Sequence, residues 1–314
     1  MRSLNFIPHN TNINFVGARY VTLGLSVLLV VVTLAGLFFK GLNYGIDFKG
    51  GFSIVIRTPE KADVADLRQR IGAIDIGEHT IQEFGGPRDV LIRIPRQPGD
   101  DAAQNAALTK VRTALGEGIE YRQVDTVGPK AGEELIKNGI WAVTISILAM
   151  LLYIWIRFDW QFSVCGIIAL VHDCFAILAM YCFLPFEFNL TAIVAILTTA
   201  GYSINDTVVI YDRIRENIKK NRKMEIKTLI NRSINETLSR TILTSSTTLI
   251  SLLALYFFGG KVIAEFSLPI IIGICVGTYS SICIAAVLLI YVGYGGHEDK
   301  VEIIKPELPV DGVV

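Results

Sequence analysis

The sequence predicts a polytopic α-helical membrane protein with one α+β domain outside the bilayer, and three observations carry that reading. A mean hydropathy of +0.49 with 18% charged residues is too apolar for a soluble globular chain of 314 residues. Six apolar runs, Val21–Phe39, Gly139–Ile156, Phe162–Phe183, Leu190–Tyr211, Thr241–Phe258 and Ser267–Tyr294, are long enough to cross the hydrocarbon. Between the first two runs, Lys40 to Asn138 switches to short, alternating strand and helix patterns.

Taken in order, segment 1–20 is polar enough to stay outside the bilayer, and the run 21–39 has no Ala-x-Ala cleavage pattern. Its nineteen residues exceed a signal-peptide core, so it reads as a retained span. Segment 40–138 is the extramembrane domain, 139–294 holds the other five spans, and 295–314 is a polar tail. Orientation follows from basic residues in the short connections. The 213–240 connection carries nine Lys and Arg residues, whereas Leu184–Asn189 carries none. Both termini are therefore expected in the cytoplasm, with 40–138 on the outer side.

Within 40–138, strands are expected at Gly51–Arg57, Thr80–Phe84, Asp89–Ile94 and Ile119–Asp125, with helices at Ala62–Ile71 and Asp100–Leu115. A turn at Gly85-Gly86-Pro87 separates the middle strands. The order βαββαβ is that of a ferredoxin-like sheet with two helices on one face. Such a domain either handles a substrate or acts as a spacer. Arg213–Arg232 is expected to form a basic amphipathic helix, with Ile214, Ile218, Ile226, Leu229 and Ile230 on its apolar side, that either lies on the anionic inner membrane surface or serves simply as a topology anchor.

Polar residues interrupt the apolar runs. Asp206 lies inside the fourth, and an ionisable group there marks an ion or substrate path by default, the alternative being a satisfied interhelical pair with Asn205 or Arg240. Three- and four-residue spacing places Thr198, Tyr202, Asn205 and Asp206 in one arc, and Arg240, Thr244, Thr247, Thr248 and Ser251 in another on the fifth span. Facing stripes would let Arg240 reach Asp206. Movement of that arginine would then swing the proton affinity of the acid. On the third span, His172 and Asp173 either join a proton relay or hydrogen-bond to neighbouring helices. Gly273 and Gly277 form a GxxxG pair suited to close helix packing.

Other classes lose support. Basic and acidic residues balance at 29 each, which argues against a nucleic-acid partner. Five cysteines, all in apolar segments, form neither a disulfide framework nor a CxxC metal pair. No GxxxxGK[ST] or HExxH pattern is present, so neither ATP hydrolysis nor zinc catalysis has a motif, and no cofactor beyond a coupling proton is expected.

Four motifs carry a family resemblance. These are Gly45-Ile46-Asp47-Phe48-Lys49-Gly50-Gly51, Val127 to Leu135 with Gly128, Pro129 and Gly132, Gly201 to Asn217 with Asp212, Arg213 and Glu216, and Ser239-Arg240-Thr241. Together they resemble the SecD/SecF family of the bacterial Sec translocase, on its SecF side and within the resistance-nodulation-division superfamily. The chain departs from that pattern at Tyr211 and Thr244. The resemblance implies a non-enzymatic subunit of the bacterial inner membrane with its outer domain in the periplasm. It further implies a SecD heteromer, association with SecYEG, SecA and other accessory subunits, and use of the proton-motive force on unfolded exported polypeptide. Asp206 and Arg240 would then lie on the proton path. Half of a proton-coupled small-molecule efflux transporter and a purely structural partner of SecD are the alternatives.

Overall fold

The computed structural model describes residues 11–293, other than 75, 85, 100, 117 and 222. The expected tail, 295–314, and the first ten residues lie outside the described residues. Helix α1 (Arg19–Phe39) leads through a one-turn helix, α2 (Ile46–Lys49), into β1 (Gly51–Arg57), α3 (Val64–Gly72), β2 (Thr80–Glu83), β3 (Asp89–Pro95), α4 (Asp101–Leu115) and β4 (Glu120–Val127). The sheet order is β2-β3-β1-β4, antiparallel at every pairing. That is the split-βαβ arrangement the element order calls for.

The period of two in the strands builds the core of this domain. Phe52, Ile54 and Ile56 of β1 and Val90, Ile92 and Ile94 of β3 face the helices, where Leu67, Ile71, Val111 and Leu115 complete a buried cluster. Asp63 caps α3 by accepting from the backbone N–H groups of Ala65 and Asp66. Ile54 is fully buried and pairs with Ile92. Ile54→Val should therefore cost about 0.5–1.5 kcal/mol of domain stability, read as faster amide exchange in β1.

An Arg57–Asp89 fork ties β1 to β3, with both nitrogen-to-oxygen distances 2.7 Å. The Arg57 guanidinium beside it holds the Asp89 carboxyl below the usual carboxylate range. A lowered folded value means that the fork's stabilisation is present above the unfolded carboxylate pKa, about 3.9, and is lost as pH falls through the folded value. Proteolysis of the α+β domain should thus be flat around neutral pH and quicken only under acid. Asp89→Asn should flatten that acid response.

The membrane part comprises α1, α5 (Pro129–Arg157), α6 (Trp160–Phe183), α7 (Leu190–Lys220), α8 (Ile226–Phe258) and α9 (Gly260–Ser280), the last continuing through a π-helical segment, Ser281–Ala285, into α10 (Ala286–Leu288). Among the described residues, six helices are long and apolar enough to cross a membrane. The second span was expected from Gly139, but α5 begins at Pro129, with extended Gly128 as its N-cap. Proline suits the first helical turn because its missing N–H would have no partner there.

One expectation is corrected. The stretch 213–232 is not a single helix lying on the membrane surface. It is a hairpin made of the continuations of α7, which ends at Lys220, and α8, which begins at Ile226. Ile214, Leu229 and Ile230 are buried in the bundle core, with Ile218 and Ile226 packed against it. The apolar residues alternate with charges in a pattern that suits a bilayer or a partner helix equally, and the facing helix wins because polar pairs come with it. Arg213 bonds Glu236 and Glu216 at 2.6 Å each, Asn217 bonds Ser233 and Glu236, and Arg157 of α5 bonds Asp212 at 2.7 Å. Asn231 and Asn235 of α8 hold the backbone of Ile13 and Val16.

Candidate functional site

Four helices supply a polar core to an apolar bundle. On α7, Thr199, Ser203, Asp206 and Thr207 are buried. Small residues let α9 approach this face. A Cβ at Gly273 would strike the Thr199 side chain, and one at Gly277 would lie 3.0 Å from Ser203 Cβ. The expected GxxxG packing is therefore used, against α7. The π-helical turn follows at once and presents Ser281, whose hydroxyl lies 2.9 Å from that of Thr207. Inserted π turns of this kind recur at functional sites.

The two buried carboxylates differ in how well they are satisfied. Asp173 Oδ2 accepts from Ser203 Oγ at 2.6 Å and Ser280 Oγ at 2.8 Å, and its Oδ1 lies 3.1 Å from His172 Nδ1. Three helices meet on that one acid, so interhelical bonding is the reading the contacts favour for Asp173. Asp206, 3% exposed, has one long hydrogen bond among the described residues, 3.5 Å from Ser245 Oγ. The same Ser245 hydroxyl lies 2.7 Å from Thr278 Oγ1. An ionised carboxylate offers about four acceptor positions, and Asp206 fills few of them. A charge there has little local compensation, and taking up a proton removes it.

Arg240 is exposed on α8. Among the described residues no ion pair joins it to Asp206, whose hydrogen bond goes to Ser245. Asn205 and Thr198, expected to share an arc with Asp206, instead face outward from the chain, and Tyr202 is half-buried. Thr248 Oγ1 donates to Tyr202 Oη at 3.3 Å, bridging α8 to α7. Thr244 and Thr247 hydroxyls return to carbonyls of their own helix, those of Arg240 and Thr244. Tyr211, a departure from the family pattern, is fully buried between Phe158 and Phe162, its hydroxyl 3.3 Å from the Ala285 carbonyl.

The sequence reading missed Ser203, Thr207, Ser245, Thr278, Ser280 and Ser281. A signal for them existed. Thr278-Tyr279-Ser280-Ser281 is a polar run inside an apolar span, and Thr199, Ser203 and Thr207 recur every four residues. His172 is 5% exposed and its Nε2 has no hydrogen-bond partner among the described residues.

A six-helix membrane protein with a split-βαβ domain after its first helix and buried acids among hydroxyls belongs to the class of membrane transport subunits. Residues 107–294 match the model of the protein export membrane protein SecD/SecF, C-terminal, and residues 35–58 match the SecD/SecF GG motif. Protein translocase subunit SecF of Magnetococcus marinus is 42% identical over 292 residues, covering 91% of this chain and 94% of that one. Its counterpart from Rickettsia bellii is 43% identical over 288 residues, covering 91% and 95%. The crystal structure of SecDF, a translocon-associated membrane protein from Thermus thermophilus, superposes with a TM-score of 0.78 at 40% identity. That match covers 91% of this chain, which spans 39% of the SecDF chain. The chain belongs to the SecD/SecF family of protein-export membrane proteins, as a SecF-type translocase subunit. Its role is an accessory one in protein translocation, exercised as a multi-pass membrane protein.

Proposed function

We propose that this protein pairs with SecD in the bacterial plasma membrane, both termini cytoplasmic, and uses the proton-motive force to advance late export through SecYEG after the ATP-driven step of SecA. Asp206 carries the coupling proton, Arg240 is its movable counter-charge, and unfolded polypeptide is the cargo handled by the periplasmic domain. The protein is not an enzyme, and the proton is its only coupling agent. The observation that supports this reading most is the single 3.5 Å hydrogen bond of buried Asp206. Its surroundings add to it. Asn205, Thr198, Arg240 and Thr247 are exposed on the isolated chain, and polar groups at membrane depth need a polar neighbour or a water-lined path. A SecD subunit covering this face would complete the site. Thr244 and Thr248 are half-buried on α8, and Asp173, beside His172, meets the buried face of α7 at Ser203. Membership of an export family speaks against the efflux reading.

Completion of a stalled export intermediate in inverted vesicles, at constant ATP, tests the proposal. Collapsing the gradient should slow completion to the level of vesicles lacking this subunit. Equal completion with and without the gradient would favour a purely structural partner, and gradient-driven drug accumulation with unchanged export would favour an efflux half-transporter.

A further inference from the structure

The segment between α1 and β1 makes a set of contacts that the proton site does not use. Asp47 Oδ2 accepts from the Leu190 N–H at 3.0 Å, which caps the first turn of α7 from outside that helix. Two backbone bonds run beside it, Gly45 N–H to the Phe188 carbonyl at 2.9 Å and Phe188 N–H to the Asn43 carbonyl at 2.7 Å. The rings of Tyr44, Phe48, Phe188 and Tyr181 pack around this junction. On the other side, α2 lies against α5 so closely that a Cβ at Gly132 would stand 2.8 Å from the Phe48 carbonyl oxygen. Glycine at 132 is what permits that approach.

Both ends of this junction lead somewhere. Two residues past Lys49, Gly51 opens β1 with φ 139°, a backbone conformation reserved for glycine. Strand β1 is hydrogen-bonded on both edges, to β3 and β4, so displacing 43–49 moves the whole sheet. In the other direction α7 runs as one helix from Leu190 to Lys220. Asp206 lies sixteen residues from its capped end, roughly 24 Å along the rod at about 1.5 Å per residue. Arg93 of β3 adds a second tie to the same connection, 3.4 Å from Glu187.

We infer that Asp47 is a positioning residue that couples the periplasmic domain to the helix carrying Asp206, so that movement of α7 on proton exchange is delivered to the sheet. This rests on Asp206 exchanging the coupling proton. A cap that only stabilised the fold would need no connection to the first strand of the outer domain, and here cap and strand are four residues apart.

The test uses the chain reconstituted with its SecD partner in liposomes, in a cysteine-free background carrying spin labels at Thr109 on α4 and Leu255 near the outer end of α8. Label-to-label distance is measured with and without a proton gradient, and amide exchange at Leu190 is followed in parallel. Wild type should show a gradient-dependent change. Asp47→Ala should raise Leu190 exchange about five- to tenfold and abolish the distance change. Asp47→Asn, which retains an acceptor oxygen, should restore both. Gly132→Ala, which pushes α2 and Asp47 with it away from α5 while keeping the carboxylate itself, should also abolish the change and guards against a misfolded Asp47→Ala protein. If Asp47→Ala and Gly132→Ala both follow the gradient as wild type does, the coupling role is overturned while the proton-driven reading stands. If wild type itself does not respond, both fall.

Discussion

Replacing Asp206 with Asn is expected to remove the gradient-dependent part of export while leaving the ATP-driven part intact. The amide has the shape of the acid and still accepts from Ser245, so the packing around a side chain 3% exposed should survive. What it loses is the ability to bind and release a proton. One charge moved across ~100 mV is worth about 2.3 kcal/mol, near a fiftyfold change in the balance of two states. Without it the gradient has nothing to act on at this position. Completion of translocation in vesicles, at equal subunit levels, should become insensitive to the gradient. A mutant that still responds as wild type does would exclude Asp206 as the coupling group. Asp173→Asn gives the contrast, because an acid held by Ser203, Ser280 and His172 owes its place to packing. That change should lower stability and expression before it alters any gradient response.

The second large effect is expected at Gly273→Leu. Any Cβ at this position collides with Thr199, so a full side chain must drive α9 away from α7. Overpacking of a filled interface costs about 1–3 kcal/mol, and more where neither partner can yield. Here the neighbour is a β-branched residue on a helix whose χ1 freedom is restricted, and the displaced interface also holds the contacts of Ser281 with the Ser203 carbonyl and the Thr207 hydroxyl, about two turns further on. Thermal unfolding of the purified protein should fall in midpoint, with Gly273→Ala smaller in effect and of the same sign. Gly201→Ala is the control. Nothing lies within 4 Å of a Cβ built at Gly201, and alanine is the better helix former, so no loss of stability is expected in the isolated chain.

Much of this architecture was readable from residue order. Six spans, the βαββαβ order and the register of its apolar faces follow from runs and periods that the sequence displays directly. The helical hairpin at 213–240 was not readable as such. Ile214 and Leu229 are apolar among charges whether they meet lipid or each other's helix, and only the pairing of Arg213 with Glu236 and of Asn217 with Ser233 shows which they meet. Ser280 and Ser281 were overlooked for a related reason. A serine in an apolar helix can bond its own backbone one turn back, so its presence alone does not mark a site.

Asp206 itself was visible, because a carboxylate in a long apolar run is costly wherever the helix packs. Its surroundings were not. Asn205 and Asp206 are neighbours in the chain, yet about 100° apart around the helix, and one faces outward while the other is buried. The sequence by itself determined the spans, the α+β domain after the first of them and the presence of acids among hydroxyls, since hydropathy and periodicity act along a single segment. Only the tertiary structure decided that Asp173 gathers three hydrogen-bonding partners, that Asp206 is nearly bare, and that Asp47 caps α7 from the connection to the α+β domain. Those facts depend on which helices meet and at what rotation, and close approach through Gly132, Gly273 and Gly277 sets both.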